Sequence, residues 1–161
     1  MTWLLLIGRA EGAPPRAGDL APPFTLRDTH GKEVALESFR GRPVLLHFWA
    51  TWCPLCREEM PILDEAARGA PERIVVLGIN LGERQEKVAA YAEAAHLGFP
   101  MLLDGHGKVA ARYRVIALPA TIVVDDTGRI VRAIEMGALS REGLQEILES
   151  LAAGGPKASG P

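Results

Sequence analysis

Cys53 and Cys56 are the only two cysteines in this 161-residue chain, and the spacing between them decides what chemistry they can do. With Pro54 and Leu55 between them, both sulfurs can meet at the first turn of a helix, where a small disulfide can open and close. A structural staple would normally close a longer loop, since the stabilisation from a disulfide grows with the length of chain it encloses. The competing reading is half of a zinc site. Tetrahedral zinc takes four ligands, and there is no second cysteine pair. The histidines, His30, His47, His96 and His106, are scattered with no His-x3-His pattern. The pair therefore points to redox chemistry, with no metal and no cofactor expected.

The elements on either side must position the sulfurs. Upstream, residues 43–50 form a continuous apolar run, Pro-Val-Leu-Leu-His-Phe-Trp-Ala, as in a strand buried on both faces. Downstream, residues 57–67 have helix-forming composition with apolar positions at helical spacing. The cysteines thus fall at a strand-to-helix junction. There the free N–H groups and the positive end of the helix dipole favour an anion, so the Cys53 thiolate is stabilised. A free cysteine titrates near ~8.5, and helix N-termini in such motifs bring this to roughly 3.5–7.5. Cys53 is then the expected exposed nucleophile and Cys56, one turn in and more covered, the resolving thiol.

The segment Phe48-Trp49-Ala50-Thr51-Trp52-Cys53-Pro54-Leu55-Cys56 resembles the active-site signature of the thioredoxin superfamily. Pro61, five residues after Cys56, falls where the active-site helix of that family is kinked, and an interior proline kinks a helix on steric grounds. Ile116-Ala117-Leu118-Pro119-Ala120-Thr121 resembles the family's cis-proline loop, which faces the cysteines and docks substrate peptides; a cis Leu118–Pro119 bond beside the disulfide is implied. Gly137-Ala138-Leu139-Ser140 is similar to the family's ending. The resemblance covers roughly residues 43–150 and implies an α/β fold: a three-layer sandwich, with a mixed central sheet and helices on both faces.

Two additions place the chain within the superfamily. Residues 18–26, Thr29-His30-Gly31-Lys32 and Val34-Ala35-Leu36 read as an N-terminal β-hairpin, similar to that of TlpA- and ResA-like oxidoreductases and also to that of peroxiredoxins. A strand at 74–80 followed by a helix at about 84–96 reads as the central βα insertion that TlpA-like proteins add to the thioredoxin core. Phe99-Pro100-Met101-Leu102-Leu103-Asp104 then begins the next unit. A helix near 108–113, a hairpin over 120–134 turning at Asp126-Thr127-Gly128, and a last helix complete the order. Ser140 is the expected cap of that helix, with Leu144, Ile147, Leu148 and Leu151 on its apolar face.

Two polar residues flank the pair. Glu59, three residues after Cys56, matches an acidic residue near the disulfide in the ResA-like branch. His47 stands where thioredoxins carry a buried acid beneath the disulfide. Two readings remain open for His47. It is a core histidine satisfied by a backbone carbonyl, or, together with Glu59, it sets the proton affinity of Cys56; its unperturbed pKa of ~6.5 lies in the working range.

With 18 basic and 20 acidic side chains the formal charge is −2, and no basic run suggests nucleic acid. The length suits one domain with a sizeable core. Residues 1–17 read as an N-terminal apolar stump and tether, 18–152 as the thioredoxin-like domain and 153–161 as a Gly/Pro-rich disordered tail. The apolar run Trp3-Leu4-Leu5-Leu6-Ile7 is too short to span a membrane and fits either the remnant of a signal or anchor, or an apolar arm packed on the domain.

The expected function is thiol-disulfide exchange on protein substrates through Cys53 and Cys56, with Trp52, Pro54, Leu55, Glu59, His47, Leu118 and Pro119 supporting the site. By resemblance, the protein is an extracytoplasmic reductant serving cytochrome c maturation or the cysteines of a metal site. It is expected to be a periplasmic or membrane-tethered monomer, recharged by a membrane electron donor of the CcdA or DsbD kind; a cytoplasmic location is the alternative. Two rival functions are a peroxiredoxin-like peroxidase and a Sco-like copper-handling protein. The first would carry Pro-x3-Thr-x2-Cys, whereas Thr51 is two residues before Cys53 and His47 is four before Thr51. The second would want three residues between its cysteines.

Overall fold

The structure is a computed structural model that describes residues 13–135 and 139–154. A mixed sheet of seven strands carries the fold, in the order β2-β1-β5-β4-β3-β6-β7. In chain order the strands are β1 (Thr25–Asp28), β2 (Glu33–Ala35), β3 (Val44–Trp49), β4 (Val75–Leu81), β5 (Met101–Asp104), β6 (Ala120–Val124) and β7 (Ile130–Glu135). The helices are α1 (Pro54–Gly69), α2 (Gln85–Ala94), α3 (Lys108–Arg112) and α4 (Arg141–Ala152), with a 3-10 helix at Leu36–Phe39. Strand β3 runs parallel to β4, and β4 to β5, while β6 is antiparallel to β3.

Strand β3 is buried at all six positions, and its alternation builds two cores. Val44, Leu46 and Phe48 point to one face, with Leu77, Ile79, Ala110, Tyr113, Ala21 and Phe24. Leu45 and Trp49 point to the other, with both cysteines, Met60 and Leu63 of α1, Val88 of α2 and Leu144 and Ile147 of α4. Successive side chains on a strand face opposite ways, so His47, between Leu45 and Trp49, is directed at α1. Helices cover both faces of the sheet, and the thioredoxin-like three-layer sandwich is the fold.

The N-terminal hairpin forms, β1 pairing with β2 from Thr25↔Ala35 to Arg27↔Glu33. Its second strand stops at Ala35, and Leu36 turns into the 3-10 helix. Before the hairpin, the chain crosses one face of the sheet: Gly18 N–H donates to Ile130 O at 2.7 Å and Ala21 N–H to Gly128 O at 2.9 Å, beside β7, and Phe24 then enters the core next to β1. The segment at 99–104 contains a strand, β5, that the sequence reading leaves unassigned. Four residues after a proline give too short an alternation to read, yet β5 lies between β1 and β4 and joins the hairpin to the core sheet.

Helix α1 continues through Pro61 to Gly69. Helix α4 starts at Ser140, whose Oγ accepts the Gly143 N–H at 3.0 Å. The apolar run at 3–7, read as a signal or anchor remnant or as a packed arm, the Gly137-Ala138 part of the ending motif and the tail from 155 onward lie outside the described residues. No helix among the described residues is long and apolar enough to cross a membrane.

Candidate active site

Strand β3 ends at Trp49 and helix α1 begins at Pro54, so the linking residues Ala50-Thr51-Trp52-Cys53 lie at the carboxyl edge of the parallel strands, where α/β sheets place their ligands. Cys53 is the N-cap of α1: its backbone is extended and its Sγ accepts the Cys56 N–H at 3.2 Å. Pro54 takes the first helical position, where a missing N–H costs nothing. The two cysteines form a disulfide with Cα atoms 5.3 Å apart, and α1 carries no acidic side chain in its first turn to oppose a thiolate there.

Exposure departs from the expectation for Cys53. It is buried, at 4%, with Cys56 at 0%, while Trp52 is exposed at 67% and Leu55 at 43%. The closed disulfide ties the Cys53 sulfur to one that lies wholly inside the protein. Cys56 is still the more covered of the two.

Leu118–Pro119 is a cis peptide. Pro119 is buried and directly precedes β6, in which Ala120 pairs with Phe48 and Thr121 with His47. This antiparallel register brings the start of β6 to the end of β3 from which the cysteine loop departs. Leu118 packs against the cluster that contains both cysteines, while Ile116, two residues earlier, is 85% exposed.

His47 and Glu59 come together. Glu59 is on the same face of α1 as Cys56, three residues on, and its Oε2 is 3.4 Å from His47 Nδ1 with both side chains out of solvent. Oε1 accepts the Leu139 N–H at 2.5 Å. His47 Nδ1 is also 3.4 Å from Thr121 Oγ1, and Nε2 has no partner among the described residues. Among the described residues no backbone carbonyl bonds the ring of this histidine in the way its core reading supposed; its polar neighbours are the Glu59 carboxyl and the Thr121 hydroxyl. Burial lowers the His47 pKa to about 3, so the ring is neutral. Burial raises Glu59 to about 7; the Leu139 N–H opposes this, and Glu58 adds to it. A carboxyl one turn below the disulfide therefore exchanges its proton near neutrality.

A second polar cluster was not legible in the sequence. Glu83, just past β4, accepts the Thr51 N–H at 2.7 Å and the Thr51 Oγ1–H at 2.5 Å. It also accepts from Asn80 Nδ2 at 2.8 Å and pairs with Lys87 Nζ at 2.8 Å. The one hint in the sequence is Asn80, a polar residue ending an apolar strand. Among the described residues, no three His, Cys, Asp or Glu side chains form a metal-holding group.

The sequence profile of the AhpC/TSA family matches residues 17–133. The chain belongs to this thioredoxin-like family. The thiol-disulfide oxidoreductase ResA of Geobacillus thermodenitrificans is 36% identical over 135 residues, 83% of this chain and 77% of that one. Among solved structures, a secreted Mycobacterium tuberculosis disulfide oxidoreductase homologous to E. coli DsbE superposes with a TM-score of 0.73 at 28% identity, covering 80% of this chain and 96% of that one. The exposed lipoprotein thioredoxin Etrx1 of Streptococcus pneumoniae gives a TM-score of 0.71 at 28% identity, covering 80% of this chain and 98% of that one. With its disulfide between Cys53 and Cys56, the chain is a thiol-disulfide oxidoreductase of the ResA type.

Proposed function

We propose that this family member reduces protein disulfides outside the cytoplasm, with Cys53 attacking and Cys56 resolving. The observation that carries the assignment of roles is the N-cap geometry: Cys53 Sγ accepts the Cys56 N–H at the helix start, where a thiolate is stabilised. The Cys53 thiolate attacks one sulfur of a substrate disulfide and expels the other as a thiolate, giving a mixed disulfide. Cys56, deprotonated with Glu59 as the nearby proton acceptor, then attacks Cys53 Sγ, releasing the reduced substrate and closing the Cys53–Cys56 bond. Trp52 and Leu55, exposed beside the pair, and the Leu118-Pro119 loop form the surface a substrate chain would meet.

A secreted relative and an exposed lipoprotein relative support work outside the cytoplasm. Haem-attachment cysteines or the cysteines of a copper site are the proposed targets, with a CcdA- or DsbD-like membrane protein returning the electrons. The peroxidase alternative has less support: the Thr51 hydroxyl is engaged by Glu83 and stands one residue out of place for that chemistry.

Trapping tests the roles. Cys56→Ser should accumulate mixed disulfides with protein substrates and Cys53→Ser should not; equal trapping by both refutes the order. Equilibration with glutathione buffers tests direction. A potential near about −270 mV supports a reductant, and one near about −120 mV an oxidase.

A further inference from the structure

Thr51 and Glu83 each lie two residues past the end of a strand, in neighbouring loops. Strands β3 and β4 are adjacent and parallel, with Trp49 opposite Asn80, so the two loops leave the sheet side by side. Gly82, at φ +72°, supplies the left-handed turn that brings Glu83 back over the strand ends; a side chain there would be strained. Glu83 then bonds both hydrogen-bond donors of Thr51, and each of its oxygens takes a second partner, Asn80 Nδ2 on Oε2 and Lys87 Nζ on Oε1. Its side chain is only 8% exposed. Burial alone would raise its pKa, but the bonds from Asn80, Lys87 and Thr51 outweigh that and hold it at about 2, so the carboxylate stays charged throughout the working range of a thiol.

The cysteine loop is otherwise thinly held. Cys53 N–H donates to Ala50 O at 3.2 Å, a bond within the loop itself, Cys53 O accepts the Arg57 N–H at 3.2 Å from the helix, and the disulfide adds a covalent restraint. On reduction that covalent restraint is lost. Cys53 is then held by hydrogen bonds alone, the Arg57 N–H from the helix side and, from the strand side, whatever fixes Thr51.

We propose that Glu83 is a positioning residue for the redox pair: by engaging both donors of Thr51, it holds the Thr51-Trp52 turn and keeps the Cys53 sulfur at the Cys56 N–H in the reduced enzyme. This rests on Cys53 as the attacking sulfur. Glu83 does not touch substrate; it acts through Thr51, and it ties the catalytic loop to the inserted strand and helix.

Position and charge have opposite signs here, which makes the idea testable. Loss of a nearby negative charge would lower a thiol pKa, whereas loss of the helix-terminal contact would raise it. The other ionisable groups near the cysteines, Glu59, His47, Glu58 and Arg57, and Lys87, which pairs with Glu83, are unchanged in both variants. The experiment measures alkylation of the reduced protein by iodoacetamide against pH, with mass spectrometry identifying the modified cysteine, for the parent, Glu83→Gln, Thr51→Val and the double variant. In Thr51→Val the carboxylate and its charge remain while the hydroxyl bond is removed.

Both single variants should raise the apparent Cys53 pKa by about half a unit, the scale of one helix-terminal interaction with an anion. The double variant should shift it no further than the larger single, because both changes break one linkage. An unchanged or lowered pKa in Glu83→Gln, or fully additive shifts, overturns the proposal. If Glu83→Gln does not fold, Thr51→Val decides alone: a parent-like pKa overturns it. Alkylation of Cys56 rather than Cys53 in the parent would overturn the assignment of the nucleophile beneath it, a result separable from the variant shifts.

Discussion

Glu59 reaches across from helix α1 to His47 on strand β3, its Oε2 3.4 Å from the ring Nδ1, with neither side chain exposed by more than 2%. One carboxyl thereby sits between a neutral imidazole and, one helical turn back, the Cys56 sulfur. An ionised Glu59 opposes ionisation of the thiols, since like charges close together disfavour the charged form. Glu59→Gln should lower the apparent thiol pKa, with His47→Asn giving a smaller change. Thiolate absorbance against pH checks this. Curves that overlay the parent would make both residues structural and leave Cys53 reactivity to the helix terminus alone.

The same pair shapes stability against pH. Glu59, raised from 4.5 to about 7, holds a proton in the folded state that the unfolded chain has released, so its contribution falls as pH rises through that window. His47, lowered from 6.5 to about 3, does the reverse: the unfolded chain binds the proton first, and stability is lost as pH falls below 6.5. Between 4.5 and 6.5 the two largely offset each other. Removing Glu59 leaves the histidine unopposed. Urea midpoints of Glu59→Gln should therefore climb between pH 4.5 and 6.5 with a slope approaching about 1.4 kcal/mol per unit, where the parent stays flat. Equal slopes in parent and variant would contradict the assignment.

Peroxide separates the two chemistries. Hydrogen peroxide should oxidise the reduced protein no faster than an ordinary low-pKa thiol, while insulin should be reduced readily. A stopped-flow trace with rapid, saturable peroxide turnover would favour the peroxidase.

Helix α4 depends on its cap. Ser140→Ala removes the acceptor of the Gly143 N–H and should cost about 1 kcal/mol, lowering Tm by roughly 2–4 °C for a domain of this size. Redox activity should be unaffected. Thermal unfolding read by circular dichroism checks it.

The parts of the site that are contiguous in sequence were legible. The Cys53–Cys56 spacing, the apolar run into it and the proline inside α1 each follow from local pattern, and the loop at Leu118 could be matched because it is a motif in itself. Glu59 and His47 were recognisable as individuals, but their meeting depends on which face of β3 looks at α1, a consequence of packing. Glu83 left almost no trace. Its partner Thr51 is 32 residues away, and only the parallel pairing of β3 with β4 brings them together. Strand β5 is illegible for a related reason: Met101-Leu102-Leu103 becomes a strand by being enclosed between β1 and β4, not by its own periodicity.

The segment that crosses from beside β7 to β1 has a mechanical consequence. It binds one margin of the sheet through Gly18 and Ala21, buries Phe24 on the face opposite α1, and becomes the strand bound to β5. Among the described residues, a pull transmitted through Gly18 is borne by the bonds that Gly18, Asp19 and Ala21 make with Ile130 and Gly128. The load enters on the side of the sheet away from the redox helix, so the domain can be held from that end while its sulfurs go on exchanging partners.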